Sequence, residues 1–154
     1  MRVDPVTDSE RNLRNVNRTI LLVEDDSNDT LLLQRAFRRA GITHSLQTVS
    51  DGDQAVAYLR GDDKYADRAV NPLPSLILLD LKLPRRSGLE VLQWLRQEAP
   101  DAVKAIPVIV LTSSRLSEDV DQAYSLGANS YMAKPSGNYD GLAEMVKNIE
   151  KRQA

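Results

Sequence analysis

Short aliphatic runs alternate with helix-spaced apolar residues along most of the chain. Continuous Leu, Ile and Val at 19–23, 76–79 and 107–111 predict strands covered on both faces, because half-buried strands would alternate with polar residues. Weaker runs at 46–49 and 130–133 predict two more. Pro107 opens the run Val108-Ile109-Val110-Leu111, a place where its missing N–H is tolerated. Between the runs, Leu33, Ala36, Phe37 and Ala40 recur at helical spacing, and Gly41 ends that helix. Ala55, Val56 and Leu59 mark a second helix, and Val91, Leu92 and Leu95 a third. Val120, Ala123, Tyr124 and Gly127 mark a fourth, and Leu142, Met145, Val146 and Ile149 a fifth. Five strand–helix units in succession predict an α/β fold: an open parallel sheet with helices on both faces.

One stretch breaks this rhythm. Residues 61–74 (GDDKYADRAVNPLP) exceed the two to six residues usual between a helix and a strand, so an elaborated connection with a turn of helix is expected there. Residues 1–17 mix charged and polar positions with no apolar stretch, so a mobile tail and not a secretory signal is expected there. Residues 18–152 are then expected to form one domain, with no output domain after it.

Composition narrows the function classes. The chain has no cysteine, which excludes disulfides and thiolate metal sites. A net charge of −2 gives no reason to bind nucleic acid or anionic lipid. No apolar run approaches the ~20 residues of a membrane span. A cytoplasmic protein with no nucleic-acid or membrane partner is expected.

The chemistry gathers where the runs end. In a parallel sheet the carboxyl ends of the strands share one edge. Glu24 and Asp25 follow the first run, Asp80 the third, Thr112 and Ser113 the fourth, and Lys134 the fifth. An isolated Asp in such a place more often caps a helix, and Asp26 or Ser27 is the expected cap of the first one. Adjacent acids beside a third, however, repel unless a cation joins them, and Mg²⁺ is the natural choice. A strand-end carboxylate can also attack phosphorus to give an acyl phosphate. The second run contributes nothing, as befits an edge strand. Pro135 restricts Lys134 and allows a cis bond.

The segments ILLVEDD, LILLDLKLPRRSG, VIVLTSS and LGANSYMAKP, in this order and spacing, resemble the receiver domain of two-component response regulators over about residues 18–152. They look most like single-domain regulators encoded beside bacterial phytochromes and hybrid kinases. The resemblance implies a flavodoxin-like doubly wound fold with strand order 2-1-3-4-5. It implies Asp80 as phosphoacceptor, with a sensor histidine kinase, a phytochrome among the candidates, or a histidine phosphotransfer protein as donor. Mg²⁺ would be held by Asp25, Asp80 and the backbone carbonyl of Lys82, with Glu24 acting through water. Thr112 and Lys134 would hold the phosphoryl oxygens, and Thr112 and Tyr131 would form the switch. A homodimer through the fourth helix, fifth strand and fifth helix is a further expectation, with Tyr131 and exposed residues of 117–126 and 138–150 on that face.

Lys82 and Ser114 depart from the family pattern, because neither orients a hydrolytic water. Slow self-dephosphorylation follows as an expectation. Ser136 stands where an aliphatic residue is usual. On this reading the protein is a phosphorylation switch and not an enzyme, acting by protein binding, onward phosphotransfer or dimerisation. A Mg²⁺-dependent phosphatase of the haloacid dehalogenase type would need an acid at position 82. A scaffold with a defunct site would not need the complete acid, Thr and Lys set. No GxxxxGK[ST] or GxGxxG motif supports nucleotide binding.

Overall fold

The computed structural model describes residues 18–113, 116–135 and 137–153. The segment 1–17, Ser114 and Ser136 lie outside the described residues. Five parallel strands form one sheet: β1 (Thr19–Val23), β2 (Ser45–Val49), β3 (Leu76–Leu79), β4 (Val108–Thr112) and β5 (Ser130–Ala133). Their order is β2-β1-β3-β4-β5, as the resemblance implied. The helices are α1 (Ser27–Arg39), α2 (Gly52–Arg60), α3 (Gly88–Gln97), α4 (Ser117–Ser125) and α5 (Asp140–Gln153).

The pleat of the central strands divides the core in two. Leu21, Val23, Ile77, Leu79, Val108 and Val110 face one way and pack with Val56, Leu59, Val91, Leu95 and Ala123 of α2, α3 and α4. Ile20, Leu22, Leu76, Leu78, Ile109 and Leu111 face the other way and pack with Leu33 and Phe37 of α1 and Leu142 and Val146 of α5. Each central strand is therefore buried on both sides, which is why its sequence is continuously aliphatic. Edge strand β2 is largely open to solvent, with Val49 as its one buried residue.

Helix starts are set by side-chain caps near the carboxyl edge of the sheet. Asp26 caps α1, its Oδ1 accepting from Asn28 N at 2.8 Å. Asp51 caps α2, accepting from Gln54 N at 2.7 Å. Ser87 and Glu90 form a reciprocal capping box on α3. Gly88 has to be glycine because a Cβ there would stand 2.2 Å from the backbone oxygen of Asp80. The close approach of α3 thus fixes the strand end that carries Asp80.

The 61–74 connection is built as expected, with a 3₁₀ turn at Asp63–Tyr65. Arg68 anchors it, donating to the α2 carbonyls of Tyr58 at 2.8 Å and Leu59 at 3.0 Å. Tyr58 returns a bond from its hydroxyl to the Pro72 carbonyl at 2.8 Å. Tyr124 is 49% exposed, because α4 seats only Ala123 in the core and the next residue is rotated about 100° away. A single helical turn, Asp101–Lys104, precedes β4 and has too few residues to show a period. Pro107 lies just before β4, yet its carbonyl accepts from Ile77 N at 2.9 Å and extends the ladder.

Candidate functional site

Glu24 leaves β1 with its N–H donating to Val49 O at 3.0 Å, and Asp80 leaves β3 with its N–H donating to Val23 O at 3.1 Å. The backbone ladder therefore continues one residue past each strand and sets both acids rigidly side by side. Lys134 leaves β5 the same way, its N–H donating to Thr112 O at 2.8 Å. The Lys134 ammonium crosses the strand ends and lies 2.9 Å from Glu24 Oε2 and 2.9 Å from Asp80 Oδ2. Its side chain is only 15% exposed, so it is no solvated surface lysine. No cis peptide bond occurs among the described residues, so isomerism at Pro135 does not aim it.

The remaining acceptors are also engaged. Asp26 N donates to Glu24 Oε1 at 3.1 Å, and Lys82 N donates to Asp80 Oδ1 at 3.0 Å. Asp80 is therefore held through both oxygens, and the loop after β3 is drawn in against it. Thr112, the last residue of β4, is fully buried. Asp25 is exposed beside the cluster. Carboxylate oxygens of Glu24, Asp25 and Asp80 all lie within 4.8 Å of one another. An all-oxygen set of hard, charged donors fits Mg²⁺ or a similar divalent ion, and does not resemble the nitrogen and sulfur sets of zinc.

The electrostatics show an excess of negative charge. Burial pushes Glu24 up to about 7, against the hydrogen bonds from Lys134 and Asp26 that would lower it, and the charge of Asp80 adds to the rise. For Lys134, burial opposes the charged form, but hydrogen bonds to Asp80, Glu24 and Asp29 outweigh it and raise its pKa. One ammonium cannot satisfy all of these acids, and a bound dication would.

Two residues of this network escaped the sequence reading. Asp29, in the first turn of α1, gives Lys134 a third carboxylate at 3.0 Å. Tyr139, buried just before α5, donates its hydroxyl to the other Asp29 oxygen at 2.9 Å. Burial first, and then Asp29, raise the pKa of Tyr139. A helix that starts at the carboxyl edge must hold its first turn over the pocket, and that was the available signal for Asp29. Tyr139 had none.

Of the sequence-predicted residues, Glu24, Asp25, Asp80 and Lys134 come together. Thr112 stands beside them at the end of β4, and Lys82 touches Asp80 through its backbone. Tyr131 pairs with Val110 across the β4–β5 ladder and packs against the α2–α3–α4 core. Its pKa is raised by burial and then by the charges of Asp119 and Asp80.

A family model described as the response regulator receiver domain matches residues 20–147. The chain is 43% identical over 136 residues to the response regulator Rcp1 of a Synechocystis strain, covering 88% of each chain. The Mn²⁺-bound structure of Rcp1 matches with a TM-score of 0.71 at 41% identity, over 86% of this chain and 91% of that one. A response regulator in red light signalling of R. palustris matches with a TM-score of 0.75 at 38% identity, over 86% and 90%. The phosphorylated cyanobacterial phytochrome response regulator RcpA gives a TM-score of 0.74 at 39% identity, over 87% and 91%. No helix among the described residues is long and apolar enough to cross a membrane.

Proposed function

The chain belongs to the response regulator receiver family, and on that premise we propose that it is a Mg²⁺-dependent switch phosphorylated on Asp80. The observation that carries this reading is the meeting of Glu24, Asp25 and Asp80 under the Lys134 ammonium. An Asp80 oxygen forms a bond to phosphorus as the phosphorus–nitrogen bond of a phosphohistidine donor breaks. The bonding pair returns to the imidazole of the donor. Asp25, Asp80 and the Lys82 carbonyl would hold the metal, and Glu24 would act on it through a water. When bound, the metal neutralises charge on the phosphoryl oxygens. The Thr112 hydroxyl and the Lys134 ammonium hold the oxygens that develop charge.

The donor is a sensor histidine kinase or a histidine phosphotransfer protein. A phytochrome kinase is favoured, because related structures are described as phytochrome or red-light regulators. Thr112 shifts toward the new phosphoryl group, and Tyr131 fills the space behind it. Lys82 and Ser114 leave the hydrolytic water without a guide, so the phosphoryl state is long-lived. The output is protein binding, onward phosphotransfer or a dimer through α4, β5 and α5, where Leu116 and Tyr124 are 58% and 49% exposed.

One experiment tests these points: incubation with acetyl phosphate and Mg²⁺, followed by intact mass and light scattering. One phosphoryl group is expected on wild type and none on Asp80→Ala, with a mass loss slow enough to follow by hand. Equal phosphate on both proteins overturns the assignment of Asp80. A lifetime of seconds overturns the slow-decay reading, and an unchanged scattering mass overturns the dimer.

A further inference from the structure

Lys134 is shared by three carboxylates, and only two of them have other work to do. Glu24 and Asp80 belong to the set of acids close enough to share a metal, whereas Asp29 does not. Asp29 is also the one anchored from behind. Its Oδ2 takes the Lys134 ammonium at 3.0 Å, and its Oδ1 takes the Tyr139 hydroxyl at 2.9 Å. Tyr139 is 1% exposed and sits in the α1–α5 core with Leu33, Phe37, Leu142 and Val146. The Asp29 carboxylate is therefore fixed from one side by a rigid aromatic and from the other by its place in α1.

We propose that Asp29, held by Tyr139, is a positioning residue that keeps the Lys134 ammonium aimed at the phosphoryl position. This rests on the reading of Asp80 as phosphoacceptor. An ammonium has three N–H donors. A bound metal would engage Glu24 and Asp80, and phosphorylation turns the Asp80 carboxylate into a mixed carboxylic–phosphoric anhydride, an acyl phosphate. Both partners then change, while the bond to Asp29 persists. Without it, Lys134 is a flexible four-carbon stem and must be ordered as the reaction occurs, which slows phosphoryl uptake. Because Tyr139 leads directly into α5, the same bond ties that helix to the reacting lysine.

The test compares phosphoryl uptake from acetyl phosphate at saturating Mg²⁺ in wild type, Asp29→Asn, Tyr139→Phe, Lys134→Ala and the double variant Asp29→Asn/Lys134→Ala. Asp29→Asn preserves shape and is expected to slow uptake about tenfold, as loss of a charge-assisted contact would. Tyr139→Phe is expected to slow it about threefold, the effect of one neutral hydrogen bond. The Mg²⁺ dependence of the thermal midpoint should be the same in Asp29→Asn as in wild type. The deciding comparison is the double variant: Asp29→Asn should add nothing once Lys134 is Ala. Uptake by Asp29→Asn at or above the wild-type rate overturns the proposal. An equal slowing with and without Lys134 also overturns it, by showing a general structural role. A wild type that takes no phosphate overturns the Asp80 reading and this inference together, and so the two failures are distinguishable.

Discussion

Arg96 and Lys134 are both taken partly out of water, and they are held in opposite ways. Arg96, on α3, donates to the carbonyls of Gly127 at 3.0 Å and of Lys104 and Ile106 at 2.8 Å, and to the Asn129 side-chain oxygen at 2.8 Å. Every one of these partners is neutral, and burial lowers the pKa of Arg96. Lys134, at the opposite ends of the strands, contacts three carboxylates, and its pKa is raised. Neutral carbonyls absorb a planar guanidinium without leaving charge over. They tie α3, the turn at Asp101–Lys104 and the loop into β5 together once and for all. A crowd of carboxylates leaves negative charge unsatisfied, so its state depends on whatever cation or phosphoryl group arrives. The first arrangement makes structure, and the second makes a site.

The largest expected effect breaks the first clamp. Arg96→Ala strips the hydrogen bonds from three backbone carbonyls and from Asn129, whose Oδ1 also accepts from Val108 N at 2.9 Å. A cost of about 3 kcal/mol in unfolding free energy is expected from orphaned acceptors and lost packing. Mg²⁺ should leave that cost unchanged, and phosphoryl uptake by the folded fraction should match wild type. Urea titrations with and without Mg²⁺ measure the first point. A cost that Mg²⁺ reduces would show that the two clamps are coupled and would collapse the contrast.

Next in size is Lys134→Ala. Phosphoryl uptake should fall about 100-fold, the usual penalty for removing a donor from developing charge. Its stability should also drop in metal-free buffer, because Glu24, Asp29 and Asp80 then face one another uncompensated. Here Mg²⁺ should recover much of the loss, opposite to Arg96→Ala. Equal Mg²⁺ responses in the two variants would remove the distinction between a neutral clamp and a charged one.

The same contrast explains what could be read from the chain before its structure. Lys134, Glu24, Asp25 and Asp80 were legible because each ends a strand run, and a parallel sheet carries all such ends to one edge. The central strands were legible because burial on both faces demands continuous aliphatic sequence. Arg96 was silent, because its partners are backbone carbonyls that any residue supplies. Tyr139 depends on how α1 and α5 lie against each other, and helix packing angles leave no local mark, whereas Asp29 had only its place in the first turn of α1 as a signal. The strand order came from the resemblance, since periodicity alone does not say which strand neighbours which.

The smallest expected effect concerns pH. The Glu24 side chain is 2% exposed, and burial raises it from 4.5 to about 7. An acid raised in the folded state keeps its proton after the unfolded chain has lost its own. Between about 4.5 and about 7 the folded protein therefore binds more protons, so metal-free stability falls as pH rises through this window and levels above it. The full shift corresponds to a few kcal/mol, and because the Lys134 ammonium steadies the ionised form of Glu24, a loss on the order of 2 kcal/mol is expected. Glu24→Gln should flatten the slope, and saturating Mg²⁺ should flatten or invert it by favouring the ionised acid. Arg96→Ala should keep the wild-type slope, since its partners carry no charge to titrate. Thermal midpoints at pH 5, 6 and 7, or roughly that spacing, with and without Mg²⁺, make the comparison. A metal-free slope that rises with pH would mean that Lys134 dominates Glu24 after all, and that the pocket is balanced without a metal.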